Sequence, residues 1–198
     1  MGGVPPGDRR PRAVSAAARL ARLLRDLERA GTSVMALARQ GRPQAPWTLY
    51  PDESGVFDRA TRCQFYYHAH AGARHEAGHF HTVRLFHDRT AHLVAISMTE
   101  RGWPQRLFTL NLWAIGDAYA PPARLKRWAR EWRLAETRGE PRLVRFVNLV
   151  FEAFRPAIER LQDEKAAALR AWRANHPGRD PFEDRSLEIL SEVAVEPG

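Results

Sequence analysis

The chain has 198 residues, 44% of them hydrophobic, and a formal net charge of +8. This size is sufficient to bury the core of one domain. The single cysteine excludes an intrachain disulfide, and no apolar run reaches the roughly 20 residues that span a bilayer. We therefore expect a cytoplasmic protein without a membrane segment.

The first residues differ in composition from the rest. Residues 1–12 are rich in Gly, Pro and Arg and predict a disordered tail, which leaves residues 13–198 as one α+β domain. Ser15 is the expected N-cap of a helix that runs to Ala30 and places several leucines on one face. Repeated prolines and glycines predict a loop between residues 41 and 61.

The middle of the chain predicts a four-stranded antiparallel meander over residues 62–113, because β-rich segments alternate with short turns. The expected strands cover residues 62–70, 79–87, 91–98 and 105–113. Helical spacing of apolar residues then predicts helices over 123–138 and 142–154, and Pro156 is expected to break or kink the second of them. Residues 187–195 fit either a helix or a strand. The predicted fold is an α+β meander flanked by an N-terminal helix and a C-terminal helical region.

Two His-x-His pairs are the most informative feature. Side chains alternate between the two faces of a strand, so His68 shares a face with His70, and His79 shares a face with His81. If residues 71–78 form the loop of a hairpin, His70 pairs with His79 and His68 pairs with His81. All four imidazoles then lie on one side of two neighbouring strands, close enough to share one ion.

The third predicted strand completes this face. A three-residue turn after His87 would place Leu93, Ala95 and Ser97 beside the four histidines. The small side chains of Ala95 and Ser97 would leave room for an ion and a ligand.

Such a cluster indicates a metal site. Neutral imidazole nitrogen binds transition metals well, whereas a dry face of unpaired ring nitrogens is costly. The predicted ligands are His68, His70, His79 and His81, and the expected cofactor is a divalent ion of zinc, iron or copper. The alternative is a metal-free cluster in which the histidines make ordinary hydrogen bonds.

Four further residues are candidates near this site. His75 is a possible additional ligand, and Glu76 is a candidate general acid or base. Tyr66 shares the histidine face and is a second catalytic candidate. Asn111, on the fourth strand, can orient a ligand. Each of the four also has a simpler interpretation as a turn residue or a satisfied polar residue of the core.

Other conspicuous residues predict structural roles. Cys63 is expected to be a buried thiol, and His87 and His92 are expected at the surface or at a sheet edge. His176 is expected at a helix end. Trp128 is interpreted as a core residue, as is Trp132, although an aromatic pair can also stack on bases.

Three functions are consistent with these features. The first is a mononuclear, His-ligated metalloenzyme that acts on a small molecule by redox, oxygen or hydrolytic chemistry. The second is a non-catalytic metal-binding or sensing module. The third is an Arg-rich nucleic-acid-binding protein that uses residues 124–133, and it ranks last because Glu131, Glu136 and Glu140 interrupt the basic surface.

Four motifs resemble those of an uncharacterised bacterial family, a domain of unknown function. They are Tyr-Tyr-His-Ala-His at residues 66–70, Gly-His-Phe-His at 78–81, Arg-Leu-Phe-Thr-x-Asn at 106–111 and Phe-Glu-Asp-Arg-x-Leu-Glu at 182–188. The resemblance extends over most of residues 20–192. It implies family membership, and it carries no known activity with it.

Overall fold

A computed structural model describes residues 14–71 and 75–197 of the chain. The tail predicted to be disordered lies outside these residues. The described part combines one antiparallel sheet with helices before and after it, which confirms the α+β class. Within the described ranges, no helix has the length and apolar composition needed to cross a membrane.

The sheet has six strands, and each strand is hydrogen-bonded to the next one along the chain. The strands are β1 (Val56–Asp58), β2 (Cys63–His68), β3 (Gly78–Phe86), β4 (Arg89–Met98), β5 (Pro104–Leu110) and β6 (Ile189–Ala194). The prediction of four strands is therefore wrong. It missed β1, which has only three residues in a segment read as a loop, and it left β6 undecided.

The described residues contain six α-helices, one of which begins at Leu112, inside the segment predicted as the end of the fourth strand. The helices are α1 (Ala16–Arg29), α2 (Val34–Arg39), α3 (Leu112–Ile115), α4 (Pro122–Arg130), α5 (Pro141–Ala153) and α6 (Arg155–Asn175). Ser15 caps α1 as predicted, since its Oγ accepts a hydrogen bond from the backbone N–H of Ala18. Pro156 separates α5 from α6 and lies in the first turn of α6, where its missing N–H costs no helical hydrogen bond.

The predicted helix over 123–138 ends early, at Arg130. The side-chain amide of Asn148 binds both the N–H and the carbonyl of Leu134, at 3.0 and 2.8 Å. These bonds hold the chain in an extended path, and one 3₁₀ turn follows at Glu136–Arg138.

The main core lies between one face of the sheet and the helices. Tyr67, Phe80, Ile96 and Leu107 are successive cross-strand neighbours on this face, and all are fully buried. Phe146 of α5 packs on Phe80, with ring centroids 5.5 Å apart. Burial of these large apolar side chains fixes which face of each strand points away from the helices.

Several predicted structural roles are confirmed. Cys63 is a buried free thiol on the core face, and burial raises its pKa. Trp128 and Trp132 are buried among the core residues. His176 lies at the C-terminal end of α6, and His87 is exposed in the turn between β3 and β4.

Candidate metal centre

Three imidazole rings meet on the sheet face opposite to the main core. The Nε2 atom of His68 lies 2.8 Å from Nε2 of His79 and 2.9 Å from Nε2 of His81. The third pair, His79 and His81, is also separated by 2.9 Å. These three atoms, which we call the Nε2 triangle, are almost equidistant. His79 and His81 are buried, and His68 is partly buried.

The strand register explains how the rings come together. His68 pairs with His79, and Tyr66 pairs with His81. The predicted pairs, His70 with His79 and His68 with His81, are therefore wrong by two residues. Because the side-chain period of a strand is also two, the shift leaves the histidines on the expected face.

His70 lies beyond the end of β2, beside the other rings. Its centroid is 4.9 Å from that of His68 and 5.2 Å from that of His79. One ring nitrogen from each of these three residues lies within 4.8 Å of the other two. Nε2 of His70 is buried and has no hydrogen-bond partner among the described residues. His70 thus belongs to the cluster without being a corner of the Nε2 triangle.

A fifth imidazole, His92, joins the cluster through a β-bulge. The register shifts after Thr82, so that Val83 faces His92 and Leu93 becomes the extra residue. His92 therefore turns toward the histidine face, where its Nε2 lies 3.2 Å from Nδ1 of His81, and Leu93 enters the main core. His92 is only 2% exposed. The predictions of a surface or edge position for His92 and of Leu93 on the histidine face are both wrong.

The small residues of β4 lie where the alternation predicted them. Ser97 faces His79 across the sheet, and Ala95 faces His81. On the next strand, Arg106 and Phe108 continue the same two rows. The space over the Nε2 triangle is consequently bounded by short side chains on β4 and by larger ones on β5.

Glu76 orients His79. Its Oε1 accepts a hydrogen bond from Nδ1 of His79 at 2.5 Å, and its Oε2 lies 3.6 Å from Nη2 of Arg106. Burial by itself raises the pKa of Glu76. The hydrogen bond from His79 and the charge of Arg106 lower this pKa by more than burial raises it, and the resulting pKa is about 2. An ionised carboxylate only accepts hydrogen bonds, so Nδ1 of His79 is the donor. Nε2 of a neutral His79 then presents its lone pair to the other two rings.

Hydrogen bonds alone do not satisfy the Nε2 triangle. A ring nitrogen offers one proton or one lone pair along a single direction, yet each Nε2 here has two nitrogen neighbours at contact distance. A cation that faces all three lone pairs satisfies them together. This cluster can therefore bind a metal ion.

The edge lengths also indicate a coordination geometry. At a metal–nitrogen distance of about 2.0–2.1 Å, edges of 2.8–2.9 Å correspond to nitrogen–metal–nitrogen angles of about 90°. Tetrahedral angles would need edges of about 3.3–3.4 Å at the same bond length. A metal ion bound by the Nε2 triangle at these angles would have its three nitrogen ligands on one face of an octahedron, with three further positions for other ligands.

The protonation states suit metal binding. Burial, with smaller contributions from His79 and His70, lowers the pKa of His68 to about 3. Burial also lowers the pKa values of His81 and His92 to well below the ordinary histidine range. The imidazoles of His68, His81 and His92 are therefore neutral at physiological pH. Metal ligation requires this neutral form of His68 and His81.

The remaining candidates occupy different positions. Tyr66 stacks on His81 with centroids 5.0 Å apart, and burial raises its pKa to about 12. The side-chain N–H₂ of Asn111 donates to the carbonyls of Pro181 and Leu187, and its oxygen accepts from the N–H of Leu112. Asn111 thus ties chain segments together.

His75 is exposed. Its side chain makes no hydrogen bond to any other described residue, and its backbone carbonyl accepts one from Gln105 at 2.7 Å. A role as an additional metal ligand stays a prediction.

A buried lysine is close enough to His92 for its charge to act on that imidazole. Lys165 of α6 is 3% exposed, and burial lowers its pKa to about 8. Burial raises the pKa of Asp117, whose Oδ1 accepts a hydrogen bond from the hydroxyl of Thr90. The charge of Lys165 also contributes to the low pKa of His92. Sequence reasoning missed this group, although Lys165 is one of only two lysines in the chain.

A pocket of about 320 Å³ opens over the Nε2 triangle. Its floor includes His68, His79 and His81, and Glu76 and Arg106 lie along its polar side. The site therefore combines three convergent ring nitrogens with a space that can hold a small molecule.

The fold and the site define an α+β protein whose antiparallel meander presents a histidine cluster able to bind a metal ion. The model of the family described as Domain of unknown function (DUF6969) matches residues 14–195, and the chain belongs to this family. This match confirms the family resemblance predicted above. Comparison with curated proteins and with solved structures gives no match.

Proposed function

We propose that this protein is a mononuclear metalloenzyme in which the Nε2 atoms of His68, His79 and His81 bind a divalent metal ion. The observation that carries the proposal is the Nε2 triangle, with three edges of 2.8–2.9 Å and a pocket over it. A site with three protein ligands and open positions is typical of catalytic metal centres, whereas structural sites are closed.

The surrounding residues have distinct proposed roles. Glu76 and His92 position His79 and His81 through their Nδ1 atoms, which supports a positioning role for Glu76 instead of the predicted acid–base role. Tyr66 keeps its hydroxyl proton at neutral pH and is a proposed hydrogen-bond donor to a bound ligand. His70 stands at the side of the cluster as a proposed proton carrier or additional ligand.

A bound divalent ion supplies Lewis acidity or, for a redox-active metal, electron transfer to and from a small molecule. The angles of about 90° favour a six-coordinate ion. Zinc, iron and copper all bind imidazole nitrogen, and we propose an ion of one of these three metals as the native cofactor.

The alternative is a closed, non-catalytic site in which His70 completes four-histidine coordination. Two observations favour it: Nε2 of His70 is buried without a partner, and His70 lies within reach of His68 and His79. Such a site would tie β2 to β3 and would leave no room for a substrate at the metal.

Nucleic-acid binding receives less support. The basic residues of α4 already face carboxylates, because Lys126 binds Asp163 at 2.8 Å and Arg130 binds Glu159 at 2.5 Å. These pairs reduce the positive charge that is available to phosphates.

Cobalt(II) reconstitution of the untagged, metal-free protein tests the proposal. Cobalt(II) has weak visible absorption in six-coordinate sites and strong absorption in tetrahedral ones. We expect one cobalt ion per chain, a weak spectrum, and a clear spectral change when azide occupies an open position. A strong spectrum that ignores azide supports the closed site instead. Failure to bind cobalt would contradict both metal-site proposals.

A further inference from the structure

The pocket over the Nε2 triangle has an apolar wall. Phe108 and Leu110 of β5, Ala114 of α3 and Ile189 of β6 line it, and Trp47 stands at its mouth. A polar floor beneath an apolar wall is the usual composition of a site for a small organic molecule.

Trp47 is placed unusually for a large aromatic residue. Its side chain is 66% exposed, although tryptophan is rarely so accessible. Its backbone has a φ of +63°, a left-handed conformation that is unfavourable for a bulky side chain. The backbone N–H of Trp47 donates to the carbonyl of Ala69 at 3.0 Å, which holds this strained residue beside the end of β2. Such strain is concentrated at functional sites.

The ring of Trp47 faces the histidine cluster. Its centroid lies 4.3 Å from that of His70 and 6.5 Å from that of His68. The indole thus borders His70 most closely and His68 less closely, while much of the ring remains open to solvent. A planar group bound in the pocket can stack against it.

A second exposed apolar residue borders the same opening. Ile189 is 38% exposed and pairs with Leu110 in the sheet. Large hydrophobic side chains are exposed at only four described positions, and two of them, Trp47 and Ile189, line this one pocket. Their coincidence indicates an apolar surface that is covered when a ligand binds.

The charged residues of the pocket argue against a strongly anionic ligand. Nη1 of Arg106 binds Oε2 of Glu192 at 2.6 Å, and its Nη2 lies 3.6 Å from Oε2 of Glu76. The guanidinium is therefore already neutralised by two carboxylates. Glu188 adds a further acidic side chain to the lining.

We propose that the pocket binds a small, weakly charged molecule with a planar apolar body and one metal-binding oxygen group. The oxygen group occupies the open metal positions, and the apolar body lies between Trp47 and the wall of Phe108, Leu110 and Ile189. This inference depends on the metal site of the proposed function. It excludes phosphate esters and nucleotides as the main class of ligand.

Two hydroxamates separate metal binding from recognition of the apolar body. Both chelate a metal through the same two oxygen atoms, but acetohydroxamate carries a methyl group and benzohydroxamate carries a phenyl ring. Their affinities are measured by titrating the visible spectrum of the cobalt(II) protein. Burial of the phenyl ring should make benzohydroxamate bind at least about tenfold more tightly, since burying a phenylalanine-sized side chain corresponds to a factor of roughly 10–100.

Variants locate the contact. Trp47→Ala should reduce the affinity ratio to about threefold or less while acetohydroxamate binding is unchanged, because the loss of stacking affects only the phenyl ring. Ile189→Ser alters a second exposed apolar residue of the pocket lining and should reduce the ratio in the same way. Val14→Ser, which alters an exposed apolar residue outside the pocket lining, should leave the ratio unchanged.

Each other outcome has a defined meaning. Equal affinity of the wild-type protein for the two hydroxamates overturns the apolar-ligand proposal and leaves the metal site intact. Ratios that stay high in both Trp47→Ala and Ile189→Ser overturn it as well. If neither hydroxamate changes the cobalt spectrum, the open metal positions are wrong and both proposals fall.

Discussion

The carboxylate of Glu76 accepts a hydrogen bond from Nδ1 of His79, three residues further along the chain, at 2.5 Å. The bond joins the loop before β3 to the first buried imidazole of that strand. It fixes both the tautomer and the orientation of His79, and it directs Nε2 toward the corresponding atoms of His68 and His81.

Glu76→Gln should weaken metal binding without preventing folding. A glutamine side chain is nearly isosteric but has no charge and does not enforce the donor state of Nδ1. The expected increase in the dissociation constant is about 10–100-fold, the usual effect of replacing a residue that orients a metal ligand. Competition with a chromophoric chelator measures this change. Glu188→Gln alters another carboxylate of the pocket lining and should change the constant by less than about threefold.

Gly78 should be required for the position of His79. It has a φ of +148°, and a Cβ added there would lie 2.3 Å from the hydroxyl oxygen of Tyr67 and 2.7 Å from the carbonyl oxygen of His68. Gly78→Ala therefore forces β2 and β3 apart where the metal ligands pair.

We expect Gly78→Ala to lower the free energy of unfolding by about 2 kcal/mol or more and to reduce metal content. Gly116→Ala is a matched control, because Gly116 also has a positive φ but has open space around it. That variant should lose about 1 kcal/mol and keep its metal. Equal losses in urea denaturation and in metal content would contradict the steric explanation.

The sequence predicted the histidine face but not its details. Alternation along a strand depends only on local geometry, so His68, His79 and His81 share a face in either register. The register between β2 and β3 was not specified by the sequence, because no Asn-Gly or Asp-Gly turn lies between these two strands.

The features that were missed depend on contacts between distant residues. The bulge at Thr82 that brings in His92 belongs to the pairing of β3 with β4. Strand β6 forms at an edge supplied by β5, about 80 residues earlier along the chain, as shown by the pairing of Thr109 with Ser191. Periodicity within a segment contains no record of such partners.

Acid should destabilise the metal-free protein through its buried histidines. An unfolded chain binds protons at histidine near pH 6.5, whereas burial keeps the pKa of His68 near 3 and lowers that of His92 well below 6.5. The unfolded state thus binds more protons, and the free energy of unfolding decreases as the pH falls below about 6.5. The decrease should approach about 1.4 kcal/mol per pH unit for each such histidine.

Urea denaturation between pH 7 and pH 5 measures this slope. His92→Phe removes one of the contributing groups and should flatten the curve. His87→Phe, which replaces an exposed turn residue, should leave the slope as it is. A steeper or unchanged slope in His92→Phe would be inconsistent with a buried neutral His92.

Lys165 should add a second rise of the free energy of unfolding, at alkaline pH. Its folded pKa of about 8 lies below the unfolded value of about 10.4. Between these values the unfolded chain again binds more protons, so the free energy of unfolding rises with pH. The expected gain from pH 8 to pH 9.5 is about 1.5 kcal/mol.

Lys165→Met should lose this gain, because methionine does not titrate. Lys126→Met removes the other lysine, which pairs with Asp163 at the surface, and should retain it. Identical pH profiles for the two variants would show that Lys165 is not the titrating group.

The metal content of the untagged protein tests the central claim most directly. After reconstitution with iron(II) under anaerobic conditions and removal of excess metal, mass spectrometry of the metal gives the number of ions per chain. We expect about one ion for the wild-type protein and for His87→Ala and His176→Ala, whose histidines lie outside the cluster. His68→Ala, His79→Ala and His81→Ala should each retain less than about a tenth of an ion under the same conditions, because each removes one corner of the Nε2 triangle. The same metal content in all six proteins would contradict the assignment of a metal site to these three histidines.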